Sequence, residues 1–213
     1  MMADLFSAHR ARQQIDDGAW LLPGFALDQT ALLLQSVEAI AVAAPFRIMV
    51  TPWGQPMSVA MTNCGPYGWT TDRSGYRYSD RDPASGKPWP PIPAVLRELA
   101  QRAAAQCGYE AFEPDACLVN LYVPGARMGA HQDRDEGNLT APIVSLSLGL
   151  PAIFLWGGRR RDDKARRFRL EHGDVAVWGG PSRLTYHGVA PLAEGLHPAT
   201  GAKRYNLTFR CAR

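Results

Sequence analysis

Two hydrophobic periodicities divide the chain, helical in its first half and alternating in its second. Apolar residues recur at helical spacing through LLLQSVEAIAVAA, residues 32–44, with Asp28 placed to cap the start and Pro45 to end the run. A second helix fits PAVLRELAQRAAAQ, residues 93–106, with Pro93 in its first turn and Gly108 just past its end. Between the two, FRIMV (46–50) and MSVAMT (57–62) predict short strands. They are followed by CGPYGWTTDRSGYRYSDRDPASGKPWPP (64–91), a long irregular stretch rich in Gly, Pro and aromatic residues. Loops of such length in a folded chain tend to be functional or disordered. From Cys117 the pattern is almost purely β: CLVNLYV, IVSLSLGL, AIFLWGG, RFRLEHG, DVAVWGG, RLTYHGV and RYNLTFR, punctuated by Gly, Pro and Asp. Many short, evenly spaced strands predict a barrel or jelly roll. The chain contains no internal repeat and no low-complexity linker.

Side-chain parity sharpens two of these strands, because successive residues of a strand face opposite ways. In RYNLTFR, Tyr205, Leu207 and Phe209 take one face and Arg204, Asn206, Thr208 and Arg210 the other. On a half-exposed sheet the polar face would simply meet water. Turned into a barrel, two buried guanidinium groups need anionic partners, and a small dicarboxylate suits a pair of arginine forks. CLVNLYV likewise sets Leu118, Asn120 and Tyr122 on one face, adding an amide and a phenol to such a pocket.

Candidate chemistry lies in GAHQDRDEGNL, residues 129–139. On a strand His131 and Asp133 share a face, which provides two members of the 2-His-1-carboxylate triad that holds non-heme Fe(II) with positions left open. A bare His-x-Asp is most often a charged turn, so a second histidine is required. His9 lies in a polar segment, His172 in the turn EHGD and His197 in the loop EGLHPATG. His187 sits in the strand RLTYHGV, shortly before the two-arginine strand, and is the natural third donor. Zinc accepts the same ligand types, but no H-E-x-x-H helix is present, and zinc alone gives no reason for a neighbouring dicarboxylate pocket.

Composition narrows the class. With 213 residues, 46% hydrophobic, the chain suits one large domain. The N-terminus carries charges among few apolar residues and no eighteen apolar residues run together, so neither a signal peptide nor a membrane span is expected and a cytoplasmic protein is. Cys64, Cys107, Cys117 and Cys211 form no C-x-x-C pair and read as reduced, mostly buried thiols. The net charge of +3 is uneven: residues 157–169, GGRRRDDKARRFR, hold seven Lys or Arg against two Asp. That segment is thus +5 and the remainder −2, making it either a solvated hairpin tip or a footprint for phosphates.

The motifs NLYVPGARMGAHQDRDE, VSLSLGLPAIFLWGG, LEHGDVAVWGGPSRLTYHGV and RYNLTFR, with FRIMVTPWGQPMSVAMTNCGPYGW upstream, are together similar to the AlkB family of Fe(II)- and 2-oxoglutarate-dependent dioxygenases. The resemblance covers nearly the whole chain. It implies a mainly β protein with flanking α-helices, in which a double-stranded β-helix (jelly roll) core carries an N-terminal nucleotide-recognition lid. The segments are then 1–44, an N-terminal extension with a supporting helix; 45–92, the lid; and 93–213, a helix plus the catalytic core. His131, Asp133 and His187 resemble the iron ligands. Arg204 resembles the partner of the far carboxylate of 2-oxoglutarate, helped by Tyr122. Arg210 and Asn120 resemble groups near its metal-chelating end, and Asn206 belongs to the same motif. Trp69 and Tyr76 resemble residues that stack on and frame the target base, with Asp135 beside its exocyclic group. Met61, Arg127, Arg134 and Arg161 resemble lid and strand-backbone contacts. The chain departs from the best-known bacterial member in having Gln55 for a tyrosine, and Arg127 and Arg134 for lysines.

The activity implied is oxidative demethylation of bases such as 1-methyladenine and 3-methylcytosine. It consumes Fe(II)-bound 2-oxoglutarate and O2 and releases formaldehyde, succinate and CO2, with ascorbate as reductant in vitro. The expected partner is methylated single-stranded or flipped-base DNA, with RNA a further possibility, and no membrane; the expected state is a monomer. A 2-oxoglutarate-dependent hydroxylase of a protein or small molecule is the alternative, sharing the iron and dicarboxylate residues but needing neither the lid aromatics nor the basic segment.

Overall fold

Both helices form where the apolar spacing puts them. In a computed structural model that describes residues 10–213, α1 spans Thr30–Ala43 and buries Leu33, Val37 and Ile40, while α2 spans Ala94–Gln106 and buries Leu96, Leu99, Ala100, Ala103 and Ala104. The caps differ from expectation. A 3-10 turn over Leu27–Gln29 delays the start of α1, so Gln29 takes the cap position and the Asp28 carboxylate accepts from Gln29 Nε2 at 3.3 Å. Pro93 occupies the N-cap of α2 with an extended ψ of 141°. His9 lies outside the described residues.

The strands are β1 (Gln13–Asp16), β2 (Ala19–Leu22), β3 (Arg47–Val50), β4 (Pro56–Cys64), β5 (Gly68–Asp72), β6 (Gly75–Ser79) and β7 (Ala116–Tyr122). They continue with β8 (Met128–His131), β9 (Ile143–Gly149), β10 (Ala152–Trp156), β11 (Arg166–Leu170), β12 (Val175–Trp178), β13 (His187–Val189) and β14 (Arg204–Arg210). An eight-stranded antiparallel sheet runs β1-β2-β12-β9-β14-β7-β4-β3, and a four-stranded sheet runs β11-β10-β13-β8. Together they make the jelly-roll core that the strand pattern predicts. The stretch 64–91 is less irregular than its composition suggests, because β5 and β6 pair as a hairpin of their own. The β1–β2 hairpin is not predicted by alternation, since only Ile15 of β1 is buried. Its signal is the Asp17-Gly18 turn, where Gly18 takes φ +72°.

Parity decides what each face of the large sheet meets. Val119, Val144, Leu146, Leu148, Leu207 and Phe209 project outward into the main apolar cluster under the two helices. The alternate residues project between the sheets. There one cluster gathers around Met61, Leu118, Tyr122 and Val189 and another around Phe154, Trp156, Leu170 and Trp178. The polar residues of β7, β9 and β14 are held among these two clusters, in a slot closed on the outside by the helix layer. All four cysteines are buried and unpaired, as expected. No helix among the described residues is long and apolar enough to cross a membrane.

Candidate active site

β8 and β13 are adjacent, and their register places His131 directly opposite His187. The β8 strand ends at His131, so Asp133 does not share a strand face with it; a turn beyond the strand end brings the carboxylate back. The outcome is the expected convergence. One donor atom from each of His131, Asp133 and His187 lies within 4.8 Å of the others. His131 Nε2 is 3.6 Å from Asp133 Oδ1, and His187 Nε2 is 3.8 Å from Asp133 Oδ2.

Backbone carbonyls choose the tautomers. His131 Nδ1 faces Gly129 O at 2.9 Å and His187 Nδ1 faces Thr185 O at 3.0 Å, contacts that only an N–H satisfies, so each Nε2 lone pair points inward. Burial, then the nearby His131 ring, push His187 down to about 4, keeping it neutral and basic at Nε2 near pH 7. Burial would raise Asp133, but the Arg210 guanidinium, followed by the two imidazoles, holds its carboxyl well below the usual range. Arg210 donates from Nε (3.1 Å) and a terminal nitrogen (2.8 Å) to Oδ2 alone. Two inward-facing imidazole nitrogens and one oriented carboxylate, each held by a neighbouring carbonyl or guanidinium, fit a divalent iron.

Behind this triad lies a cavity of about 50 Å³ lined by Asn120, Tyr122, Arg204, Asn206 and Arg210, among others. Both parity readings therefore hold, but the arginines differ. Arg210 is committed to Asp133 and approaches Glu136 Oε1 at 3.4 Å. Arg204 is 1% exposed, has its guanidinium 4.9 Å from the Tyr122 ring centroid, and donates only to Ser147 Oγ at 3.0 Å. Its Nε and second terminal nitrogen are buried without a protein partner, as is Asn120 Oδ1. A buried cation with idle donors calls for an anion. Asn206 is held by Ser145 Oγ (2.7 Å) and Leu146 O (3.1 Å), and accepts from Asn120 Nδ2 at 3.4 Å.

On the open side a cleft of about 340 Å³ is lined by Met61, Trp69, Tyr76, Arg134, Asp135 and Arg161, and shares His131, Asp133 and Arg210 with the inner cavity. Trp69 and Tyr76, on the β5–β6 hairpin, stack at 5.6 Å and 20°, and Trp69 Nε1 donates to Asp135 Oδ2 at 3.0 Å. Met61 is fully buried at the cleft floor. Arg127 lines neither space; its side chain is exposed and its backbone N–H donates to Ser58 Oγ at 3.0 Å. The basic stretch 157–169 falls on the β10–β11 hairpin, where Arg160 pairs with Asp162 at 3.2 Å and Arg161 alone reaches the cleft. His172 and His197 pack against each other, tilted by 31° at 4.3 Å, in a separate place.

Three further groups escape the sequence reading. Ser145 lines the inner cavity and Ser147 holds Arg204, which the alternation of IVSLSLGL foreshadows. A buried row joins Arg183, Glu136, Arg210 and Asp133: Arg183 donates to Glu136 Oε2 at 3.1 Å, and the Tyr78 hydroxyl donates to Oε1 at 2.6 Å. The row is charge-balanced, so Glu136→Leu leaves two buried guanidiniums facing one carboxylate. A loss of about 3–5 kcal/mol in unfolding free energy is expected, read from denaturant midpoints. Thirdly, Trp53 stands at the cleft rim.

Comparison with known proteins agrees with this geometry. The family model of the 2OG-Fe(II) oxygenase superfamily matches residues 18–210. The chain is 55% identical over 212 residues to the alpha-ketoglutarate-dependent dioxygenase AlkB of Escherichia coli, covering 99% of this chain and 98% of that one. It is 34% identical over 173 residues to the DNA N(6)-methyladenine demethylase ALKBH1C of Arabidopsis thaliana, covering 69% of this chain and 38% of that one. The solved structure of OsALKBH1 superposes with a TM-score of 0.81 at 30% identity, covering 94% of this chain and all of that one.

Proposed function

The chain belongs to the 2OG-Fe(II) oxygenase superfamily and within it to the AlkB family, and from that premise we infer an Fe(II)- and 2-oxoglutarate-dependent dioxygenase that oxidatively removes alkyl groups from nucleic-acid bases. One juxtaposition carries the reading: a buried arginine with idle donors lies behind a His-Asp-His donor set, and that set in turn borders an aromatic, arginine-rimmed cleft. In the assignment we propose, His131, Asp133 and His187 hold Fe(II) through Nε2, a carboxylate oxygen and Nε2. When bound, iron with 2-oxoglutarate and O2 supplies the oxidation that yields succinate and CO2 and releases the alkyl carbon as an aldehyde.

The residues do the rest by binding and orientation. Arg204, with Tyr122 packed on its guanidinium, takes the far carboxylate of 2-oxoglutarate, while Asn120, Asn206 and Arg210 shape the end nearer the triad. Trp69, kept upright by Asp135, offers its ring to the base, and the hairpin bearing it belongs to the lid assigned to residues 45–92. Asp135 and Asp133 favour the positive charge of 1-methyladenine and 3-methylcytosine. Because the triad lies at the bottom of the cleft, the target nucleotide arrives flipped or single-stranded. We propose DNA as the substrate, with RNA a further candidate, and a monomer in the cytoplasm.

Mass spectrometry of oligonucleotides carrying 1-methyladenine or 3-methylcytosine, incubated with Fe(II), ascorbate and 2-oxoglutarate, tests this. Loss of the methyl group with one succinate per event is expected; intact methylated bases beside a hydroxylated peptide would favour the alternative hydroxylase. Salt dependence tests the strand contacts. Arg161→Gln should weaken oligonucleotide binding and flatten the log–log salt slope by roughly 0.7, one single-strand phosphate contact, whereas Arg160→Gln should change the slope little because Asp162 already neutralises that arginine.

A further inference from the structure

Trp53 is 79% exposed, an unusual position for the residue type with most to gain from burial. It is also firmly placed. The loop between β3 and β4 is closed by Thr51 N–H to Gln55 O at 2.8 Å, Gly54 N–H to Thr51 O at 2.8 Å and Gln55 N–H to Thr51 Oγ1 at 3.2 Å. Pro52 stiffens the loop, and Gly54 supplies φ +79° for the reversal. Thr71 Oγ1 donates to Val50 O at 3.0 Å, tying this turn to the hairpin that carries Trp69 and Tyr76. The backbone at Trp53 is thus anchored to the hairpin that carries those rings. Among the described residues it has neither an aromatic nor a cationic stacking partner.

The turn beside it is cationic. The exposed Arg73, in the β5–β6 turn, brings its guanidinium to 3.7 Å from where a side chain on Gly54 would begin. An indole at the mouth of a cleft that also bears Arg134 and Arg161, with a guanidinium on the abutting turn, reproduces the ring-plus-cation pairing with which proteins hold single-stranded nucleic acid. The ring accepts any base face and the guanidinium a phosphate. We propose that Trp53 is a stacking platform for a base flanking the target nucleotide, with Arg73 gripping the adjoining phosphate. The proposal rests on the demethylase reading and extends it, because it gives the enzyme a subsite outside the pocket that receives the damaged base and makes short strands better ligands than lone nucleotides.

The test uses the full chain and fluorescence anisotropy on a short single-stranded oligonucleotide with one 3-methylcytosine, and on versions in which the base on either side is replaced by an abasic site. Trp53→Ala should bind the intact strand roughly 5- to 150-fold more weakly, the range set by one base–aromatic stack, and Trp53→Phe should keep most of the affinity. An abasic site on one flank should weaken the wild type by a comparable factor and have little further effect on Trp53→Ala, since the two changes remove the same contact. Equal affinity of Trp53→Ala and wild type, or penalties from the abasic site and the substitution that simply add, would overturn the proposal. So would a size-exclusion shift from dimer to monomer in Trp53→Ala with strand affinity retained, which would assign the ring to a second copy of the chain. Formaldehyde release by the wild type is scored separately: its absence would remove the demethylase reading, whereas the binding comparison judges Trp53 in either case.

Discussion

Replacing His187 with alanine is expected to abolish both formaldehyde release from methylated oligonucleotides and the slower, uncoupled production of succinate. Both products depend on the metal, and the substitution removes one of three protein donors from a site whose other two cannot regroup: His131 is fixed by Gly129 O and Asp133 by Arg210. The secondary structure should survive, because the sheets are held by clusters on either side of the pocket. The ring does pack 4.9 Å from Trp178 and 6.0 Å from Phe154, so alanine leaves a small void and a lower melting temperature. His187→Gln fills most of that void and separates the effects: unchanged folding with turnover still lost is the expected outcome. Circular dichroism, retained Fe(II) after desalting and product analysis would be measured together. His172→Ala and His197→Ala serve as controls, since those rings pack against each other and line neither the cavity nor the cleft. Turnover by His187→Ala at saturating iron, or its loss in His172→Ala, would move the third ligand elsewhere.

Why the sequence revealed the site's inner wall better than its outer one follows from how each is built. The inner wall is strand, and the period of two is strict, so Arg204, Asn206 and Arg210 on β14 and Asn120 and Tyr122 on β7 could be assigned to one face from spelling alone. The same rule misdescribed Asp133. His131 is the last residue of β8, and the two side chains converge because the chain turns, an outcome that alternation cannot foresee. The short β13 hides in RLTYHGV for a related reason, since a 3-10 turn over Gly180–Ser182 takes up the residues before it and only His187–Val189 pair. Tyr78, Glu136 and Arg183 could not have been found: they come from a hairpin, a turn and a loop, and only tertiary packing makes a buried charged row of them. The equal weight given to the two arginines also failed. Parity says that both face inward, but which one is already neutralised depends on Asp133 and Glu136, contributed from elsewhere in the chain.

That asymmetry determines the second large effect. Arg204→Met should raise the apparent KM for 2-oxoglutarate by roughly tens- to thousands-fold, the consequence of leaving a buried carboxylate without its charged partner at a cost of about 2–5 kcal/mol. Met keeps much of the apolar stem against Tyr122, so the packing survives while the two idle donors disappear. Arg204→Lys should fall between, because it restores the charge but not the fork that can reach two carboxylate oxygens. Oligonucleotide affinity should stay within a factor of about 2 for both variants, since Arg204 lines the inner cavity and not the cleft. Arg210→Met should behave differently. It removes the counter-charge of Asp133, so it should depress turnover at every cosubstrate concentration instead of shifting the titration. Succinate titrations across the three variants read these outcomes side by side. A wild-type KM in Arg204→Met would mean that the buried guanidinium serves the fold alone, and that the cosubstrate's second carboxylate is held by another group.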